Sequence, residues 1–218
     1  MCFSASASFS AGIVLVVIGT VTLRKVRHPS QILFASIPLI FGIQQIAEGA
    51  LWLTLPKPEY LTIQKLATYI FLFFAQVVWP IWVPIAILKL ENSESKRRIQ
   101  SVLVGAGLIV GIYLGACLFN YDVQAKVIGH HISYVQDYPH LLRYYGIILY
   151  AMATIIPTFF SSIKSMWMLG VSVLISYIVT AVFYEHYVLS VWCFFASIIS
   201  LSIYAITVEV SKPQQRNI

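Results

Sequence analysis

Residues 99–121 read IQSVLVGAGLIVGIYLGACLFNY, an unbroken stretch without a charge. A helix that crosses a bilayer needs roughly 20 mainly apolar residues, so this stretch is long enough to span one. Six more of the same kind surround it: 2–23, 29–47 (running on to 56 past Glu48), 66–88, 144–163, 165–184 and 187–208. Together they occupy most of a 218-residue chain that is 59% apolar and 10% charged, far from the balance of a soluble domain. The expected fold is all-α: a polytopic transmembrane helical bundle of seven spans, forming a single integral membrane domain over 1–218.

The gaps between spans set an orientation. Ten basic residues fall on one side: Arg24, Lys25, Arg27, Lys89, Lys96, Arg97, Arg98, Lys164, Lys212 and Arg216. The alternate gaps hold four, Lys57, Lys65, Lys126 and Arg143, which completes the 14 in the chain. Short loops rich in Lys and Arg stay cytoplasmic, so the N-terminus is expected outside and the C-terminus inside a cell (inner) membrane. The net charge of +6 then reflects topology and attraction to anionic membrane lipid, and no nucleic-acid partner is expected. A cleaved signal peptide would carry its basic residues before the apolar run. Here they follow it, so residues 1–23 are expected to stay as an anchor. Cys2, Cys117 and Cys193 are an odd set, all placed near the outer face. A disulfide is open to them if that face is oxidising, although small packing residues are the simpler reading of Cys117 and Cys193.

Two connections are long. Residues 90–98 read as a charged inner loop, and 122–143 as an outer one in which Val123–Ile128 and Ile132–Val135 flank Gly129-His130-His131 as a small hairpin. Gly107, Gly111 and Gly115 recur at four-residue spacing, a stripe that lets helices approach closely in lipid. It is expected to serve packing within the bundle or, second, a homodimer. Phe73-Phe74-Ala75 and Phe194-Phe195-Ala196 echo each other, as parallel repeats joined by the fourth span would. In Trp79-Pro80-Ile81-Trp82-Val83-Pro84 the prolines predict a kink or local unwinding, with the tryptophans as interfacial anchors or the break as a ligand-lining hinge.

The N-terminal string Met1-Cys2-Phe3-Ser4-Ala5-Ser6-Ala7-Ser8-Phe9, together with Glu48-Gly49, Trp52 and Trp192-Cys193, resembles an uncharacterised family of small bacterial seven-helix membrane proteins that open in this way. The resemblance implies fold and location and carries no reaction. The two-residue spacing of Cys2, Ser4, Ser6 and Ser8 fits no single helix face, so the chain is expected to enter irregularly there.

Candidate site residues gather at the outer side. Glu48 is a carboxylate in an otherwise apolar span, where ionisable groups are expensive and face a cavity or partner. Gln44 and Trp52 lie four residues to either side and share its face. If Met1 is removed, Cys2 offers an amine and a thiol on one residue, and its thiolate needs a nearby cation or metal to form at neutral pH. Glu185 and His186 fall in the turn before the last span, His130, His131 and His140 in the long outer loop, and His28 alone inside. Cys2, Gln44, Glu48, Trp52, Glu185 and His186 are thus expected to bind a small-molecule ligand. Thiolate, carboxylate and imidazole suit zinc or copper, for which Cys2, Glu48, His130, His131, His140 and His186 are the candidate donors, although their spacing matches no standard metal motif.

Several classes are excluded by what is missing. The last span has no lysine for a retinal Schiff base, and no Walker, HExxH, GxSxG or CxxCH pattern occurs. The leading expectation is a small-molecule binding, sensing or transport module with a polar site at the outer half of the bundle. The alternatives are a metal-dependent membrane hydrolase acting on a lipid or periplasmic substrate, and an assembly subunit of a membrane complex.

Overall fold

A computed structural model of the chain describes residues 4–139, 143–183 and 188–212. Helix α1 (Ala5–Leu23) begins at Ser4, whose hydroxyl accepts from the Ala7 amide at 3.3 Å. This corrects the expected irregular entry: one capping acceptor is enough to start the helix, and Ser6 and Ser8 simply continue it. After a 3₁₀ turn (Pro29–Gln31), a short helix α2 (Ile32–Ala35) breaks at Ser36 into α3 (Ile37–Thr54). Pro38 lacks the amide that would carry the ladder through this point. The exposed carbonyl of Leu33 takes the Ser36 hydroxyl and the Trp82 indole N–H, each at 2.9 Å.

Helices α1 and α3 pack through glycines that the sequence reading passed over. A Cβ on Gly19 would lie 2.5 Å from Leu39 N, and one on Gly42 would lie 2.7 Å from Val16 Cγ2. Close backbone approach of this kind is how helices associate where lipid removes the hydrophobic drive.

The next membrane-length segment, Pro58–Leu90, is not uniform. Helix α4 (Leu61–Phe73) passes into a π-helical segment (Phe74–Val78) and then α5 (Trp79–Leu90). The Trp79 amide reaches back five residues to Phe74 O. Residue 80 would be the next donor in that register, aimed at Ala75 O, but Pro80 has none. The Tyr150 hydroxyl fills the place, donating to Ala75 O at 2.6 Å. The local unwinding expected at the prolines thus takes the form of a π-helical register shift just before Pro80. Trp79 is buried and donates to Gln44 Oε1, which removes it as an interfacial anchor, while the half-buried Trp82 donates to Leu33 O.

Helix α6 (Glu94–Asn120) starts five residues earlier than its apolar run. The charged stretch expected as loop 90–98 is mostly its first turn and a half, with Ser93 as N-cap. The glycine stripe faces α5: a Cβ on Gly107 would meet Pro80 O at 1.9 Å, and one on Gly111 would meet Ile81 Cδ1 at 2.8 Å. A homodimer through these glycines would have to part this contact.

Strands β1 (Val123–Ile128) and β2 (His131–Gln136) form an antiparallel hairpin with Ile128 paired to His131. His131 thus belongs to the strand, and the turn is Gly129-His130, with φ +61° at Gly129. A two-residue turn of type II′ asks for that conformation at its first central position. The hairpin folds over the bundle end. Ile132 is fully buried with Leu51 and Ala67, and Tyr134 stacks on Phe71 at 4.6 Å.

Helices α7 (Arg143–Thr154), α8 (Ile156–Phe159), α9 (Met166–Phe183) and α10 (Val188–Val210) complete the chain. Neighbours in sequence pack together, and α10 returns to α1 and α3 to close a ring. Phe34, Ile37, Trp79, Ile87, Met166 and Ile203 lie in the central core. Helix α10 runs unbroken through Phe194-Phe195-Ala196, whereas the matching triplet opens the π segment, so the two copies differ in backbone.

The distribution of polarity is that of a membrane protein. Val102 and Ile112 are 70% and 66% exposed, while Gln44, Gln45, Glu48, Gln76, Thr180 and Ser200 are buried. Among the described residues, four helical segments are long and apolar enough to cross a bilayer: Ala5–Leu23, Pro29–Thr54, Pro58–Leu90 and Glu94–Asn120. Three shorter apolar helices follow, Ile148–Phe159, Met166–Thr180 and Ile199–Val210.

Candidate functional site

The inward face of α3 carries a polar sequence within the apolar bundle. Gln44 and Glu48 sit one turn apart, and both are 0% exposed. The Gln44 oxygen accepts from the Trp79 indole at 2.8 Å and its amide donates to Phe71 O at 3.5 Å, so α3 is tied to α4 and α5. Gln45, also fully buried, donates to Glu48 Oε2 at 3.3 Å. A carboxyl group carried this far from water needs a hydrogen-bond partner, because burying an unsatisfied polar group costs several kcal/mol.

Gln44 also lines a cavity of about 70 Å³ at the centre of the bundle. Phe34, Phe41, Trp79, Leu169 and Ile203 form much of its wall, and Tyr150, Thr154 and Thr158 add hydroxyls. Phe41 stacks on Trp79 with ring centroids 3.9 Å apart. The polar face of α3 and an apolar chamber therefore meet at Gln44.

The other expected site residues divide into those that are placed and those that are not. Trp52, at the end of α3, is half-buried, and its indole N–H has no hydrogen-bond partner among the described residues. His130 is exposed at the hairpin turn and His131 starts β2. Burial, then the charge of His130, holds the His131 imidazole below its ordinary pKa. Because Ile132 packs on Leu51, these histidines share the bundle end toward which α3 carries Glu48. Cys2, His140, Glu185 and His186 lie outside the described residues, so their meeting with Glu48 is not observed. Among the described residues no three of His, Cys, Asp or Glu gather as metal donors, and Cys117 is a buried free thiol.

Sequence reasoning missed four groups. Gln45 was hidden by its neighbour, although two adjacent glutamines in an apolar run are signal enough. Gln76 is buried in the π segment, and its side-chain oxygen accepts from the Tyr138 hydroxyl at 3.0 Å. Burial raises the Tyr138 pKa above the ordinary phenol value, so the hydroxyl stays protonated and able to donate. Glu91, which the sequence presents as one more loop charge, is buried at the opposite end. It accepts from Ser162 N at 2.7 Å, Ser162 Oγ at 2.5 Å and Ser93 N at 3.0 Å. Burial alone would raise its pKa, but these bonds and the nearby Lys96 ammonium bring it below the ordinary carboxylate value. Gln31 forms a second clasp there. Its oxygen accepts from Arg27 N at 2.8 Å and from Ser211 Oγ at 3.1 Å, and its amide donates to Val210 O at 3.3 Å.

Exposed apolar faces, buried polar side chains and membrane-length helices define a polytopic helical membrane protein. Within that class the chain belongs to a family described as being of unknown function (DUF6629), which it matches over residues 1–217. No curated protein matches it, and no solved structure does.

Proposed function

We propose that this protein is a seven-span module of the cell membrane, N-terminus outside, that binds a small molecule inside the bundle on the polar face of α3. It acts as a sensor or transporter rather than as a hydrolase. The observation that carries this reading is the complete burial of Glu48 beside Gln44 and Gln45. Ionisable residues within membrane helices mark ligand or ion pathways. The three cluster on one helix where an apolar side chain at each position would pack more cheaply. In this reading Trp52 and the hairpin carrying His130 and His131 cover the outer approach, and Cys2, Glu185 and His186 complete it. For the metal-dependent alternative, Cys2, His140 and His186 lie outside the described residues, and Glu48, His130 and His131 do not gather as a three-donor cluster.

A site that works must open to a small molecule. Dicyclohexylcarbodiimide is an apolar reagent that reacts with protonated carboxyls within membranes, and it is the probe. The expected result in membrane vesicles is a single adduct on Glu48, found by peptide mass and absent from Glu48→Gln. If Glu48 stays unmodified while the reagent labels other carboxyls, the α3 face is sealed structure and the proposal fails.

A further inference from the structure

The central chamber has a chemistry of its own, distinct from that of the carboxylate one turn away. Every polar side chain among its described lining residues already donates one hydrogen bond, and only the second Nε2–H of Gln44 is left over. Trp79 Nε1 donates to Gln44 Oε1 at 2.8 Å, Gln44 Nε2 to Phe71 O at 3.5 Å, and Tyr150 Oη to Ala75 O at 2.6 Å. The Thr154 hydroxyl donates to Tyr150 O at 2.8 Å and the Thr158 hydroxyl to Ile155 O at 2.5 Å. A guest that brings hydrogen-bond acceptors would therefore leave them unsatisfied everywhere but at the Gln44 edge. Among the described residues no charged side chain lines the space, so an ion would enter without a counter-charge from them. Apolar chambers of this kind stay dry and take apolar guests. Size narrows the class further: an engineered cavity of ~150 Å³ holds benzene, and this one is about 70 Å³.

The geometry points to a binding site for a neutral hydrocarbon group of roughly three or four heavy atoms, seated against the stacked Phe41 and Trp79 rings. The site deepens the reading of a ligand-binding bundle. Two sources supply this chemistry, a free small apolar molecule and the terminal carbons of a lipid acyl chain that enters between the helices. The chamber takes the apolar part of the ligand and Gln44 marks its polar limit.

Xenon is the probe, followed by ¹²⁹Xe NMR of the full chain in lipid nanodiscs. The expected result is a saturable xenon shift in the parent that is lost in Val173→Phe and, should that variant fold poorly, in Val83→Phe, since both residues line the space. Ile203→Ala, which enlarges the chamber toward the size that admits benzene, should gain benzene binding that the parent lacks. Nanodiscs of straight-chain and of methyl-branched lipid separate the sources. Equal xenon affinity in the two assigns the site to a free molecule, and weaker binding in straight-chain lipid assigns it to an acyl end. Absence of a saturable shift in both lipids overturns the proposal, as does an unchanged shift in both filled variants or displacement of xenon by tetramethylammonium. Carbodiimide labelling of Glu48 does not depend on any of these outcomes, so the chamber and the polar face fail separately.

Discussion

Gly107 holds α6 against α5 at a distance that no other residue permits, because its missing Cβ would fall 1.9 Å from the Pro80 carbonyl oxygen. The obstacle is backbone and cannot rotate away. Gly107→Ala should therefore destabilise the protein by about 1–3 kcal/mol, as overpacking does. Gly105→Ala, which meets nothing within 4 Å, should be neutral or slightly stabilising, since alanine is the better helix former. Thermal unfolding in detergent distinguishes the two, and equal effects would mean that the α5–α6 contact is not as close as described. Gly111→Leu should likewise be more damaging than Leu108→Ala, because Leu108 is partly exposed. Glu91 gives a pH prediction. Its folded pKa lies below the ordinary value of 4.5, so its contribution to stability is complete above that value and is lost as pH falls through the folded pKa. Glu91→Gln should be less stable than the parent at neutral pH, and its stability should fall less steeply below about pH 4.5. Parallel acid profiles would show that Ser162 and Ser93 do not hold a charged carboxylate.

At the scale of the element, the π segment Phe74–Val78 depends on a residue far away in sequence. Tyr150 supplies the donor that Pro80 cannot, so Tyr150→Phe should cost about 1–3 kcal/mol, the usual range for a buried acceptor left unpaired. Pro80→Ala restores a backbone N–H in the register of Ala75 O. In that background the loss from Tyr150→Phe should shrink. A double-mutant cycle reads this coupling directly, and additive effects would separate Pro80 from the hydroxyl. The hairpin offers a simpler case. Gly129 sits at φ +61°, where an L side chain is strained, so Gly129→Ala should weaken β1–β2 by roughly 1 kcal/mol. Faster amide exchange across 123–136 is the expected readout.

At the scale of the molecule, alternating loop charge predicts an orientation that labelling can test. A cysteine placed at Gln124, in a chain whose native cysteines are alanine, should react with an impermeant thiol reagent in intact cells, while one placed at Ser95 should not. Both positions are exposed, at opposite ends of α6, so the reverse pattern would invert the topology. Much of this architecture was legible in the sequence because membrane spans are announced by composition. Residues 99–121 need only be counted, and Glu48 stands out against an apolar run. What could not be read depends on pairs. Tyr150 and Tyr138 pass for ordinary lipid-phase aromatics until Ala75 and Gln76 are placed beside them. Glu91 looks solvated until the 161–162 turn arrives, and the α1–α3 glycines come only as pairs seven residues apart (12/19 and 42/49), without the three-member, four-residue stripe of 107, 111 and 115. The Gln31 clasp carries this dependence into biosynthesis. Its amide donates to Val210 O, 179 residues later. At 5–20 residues per second, that partner leaves the ribosome roughly ten to thirty-five seconds after Gln31. Until then a glutamine destined for burial waits at the membrane surface with its late partner unmade, so chains stopped before residue 210 should be poor at closing the bundle and favoured targets for membrane proteases.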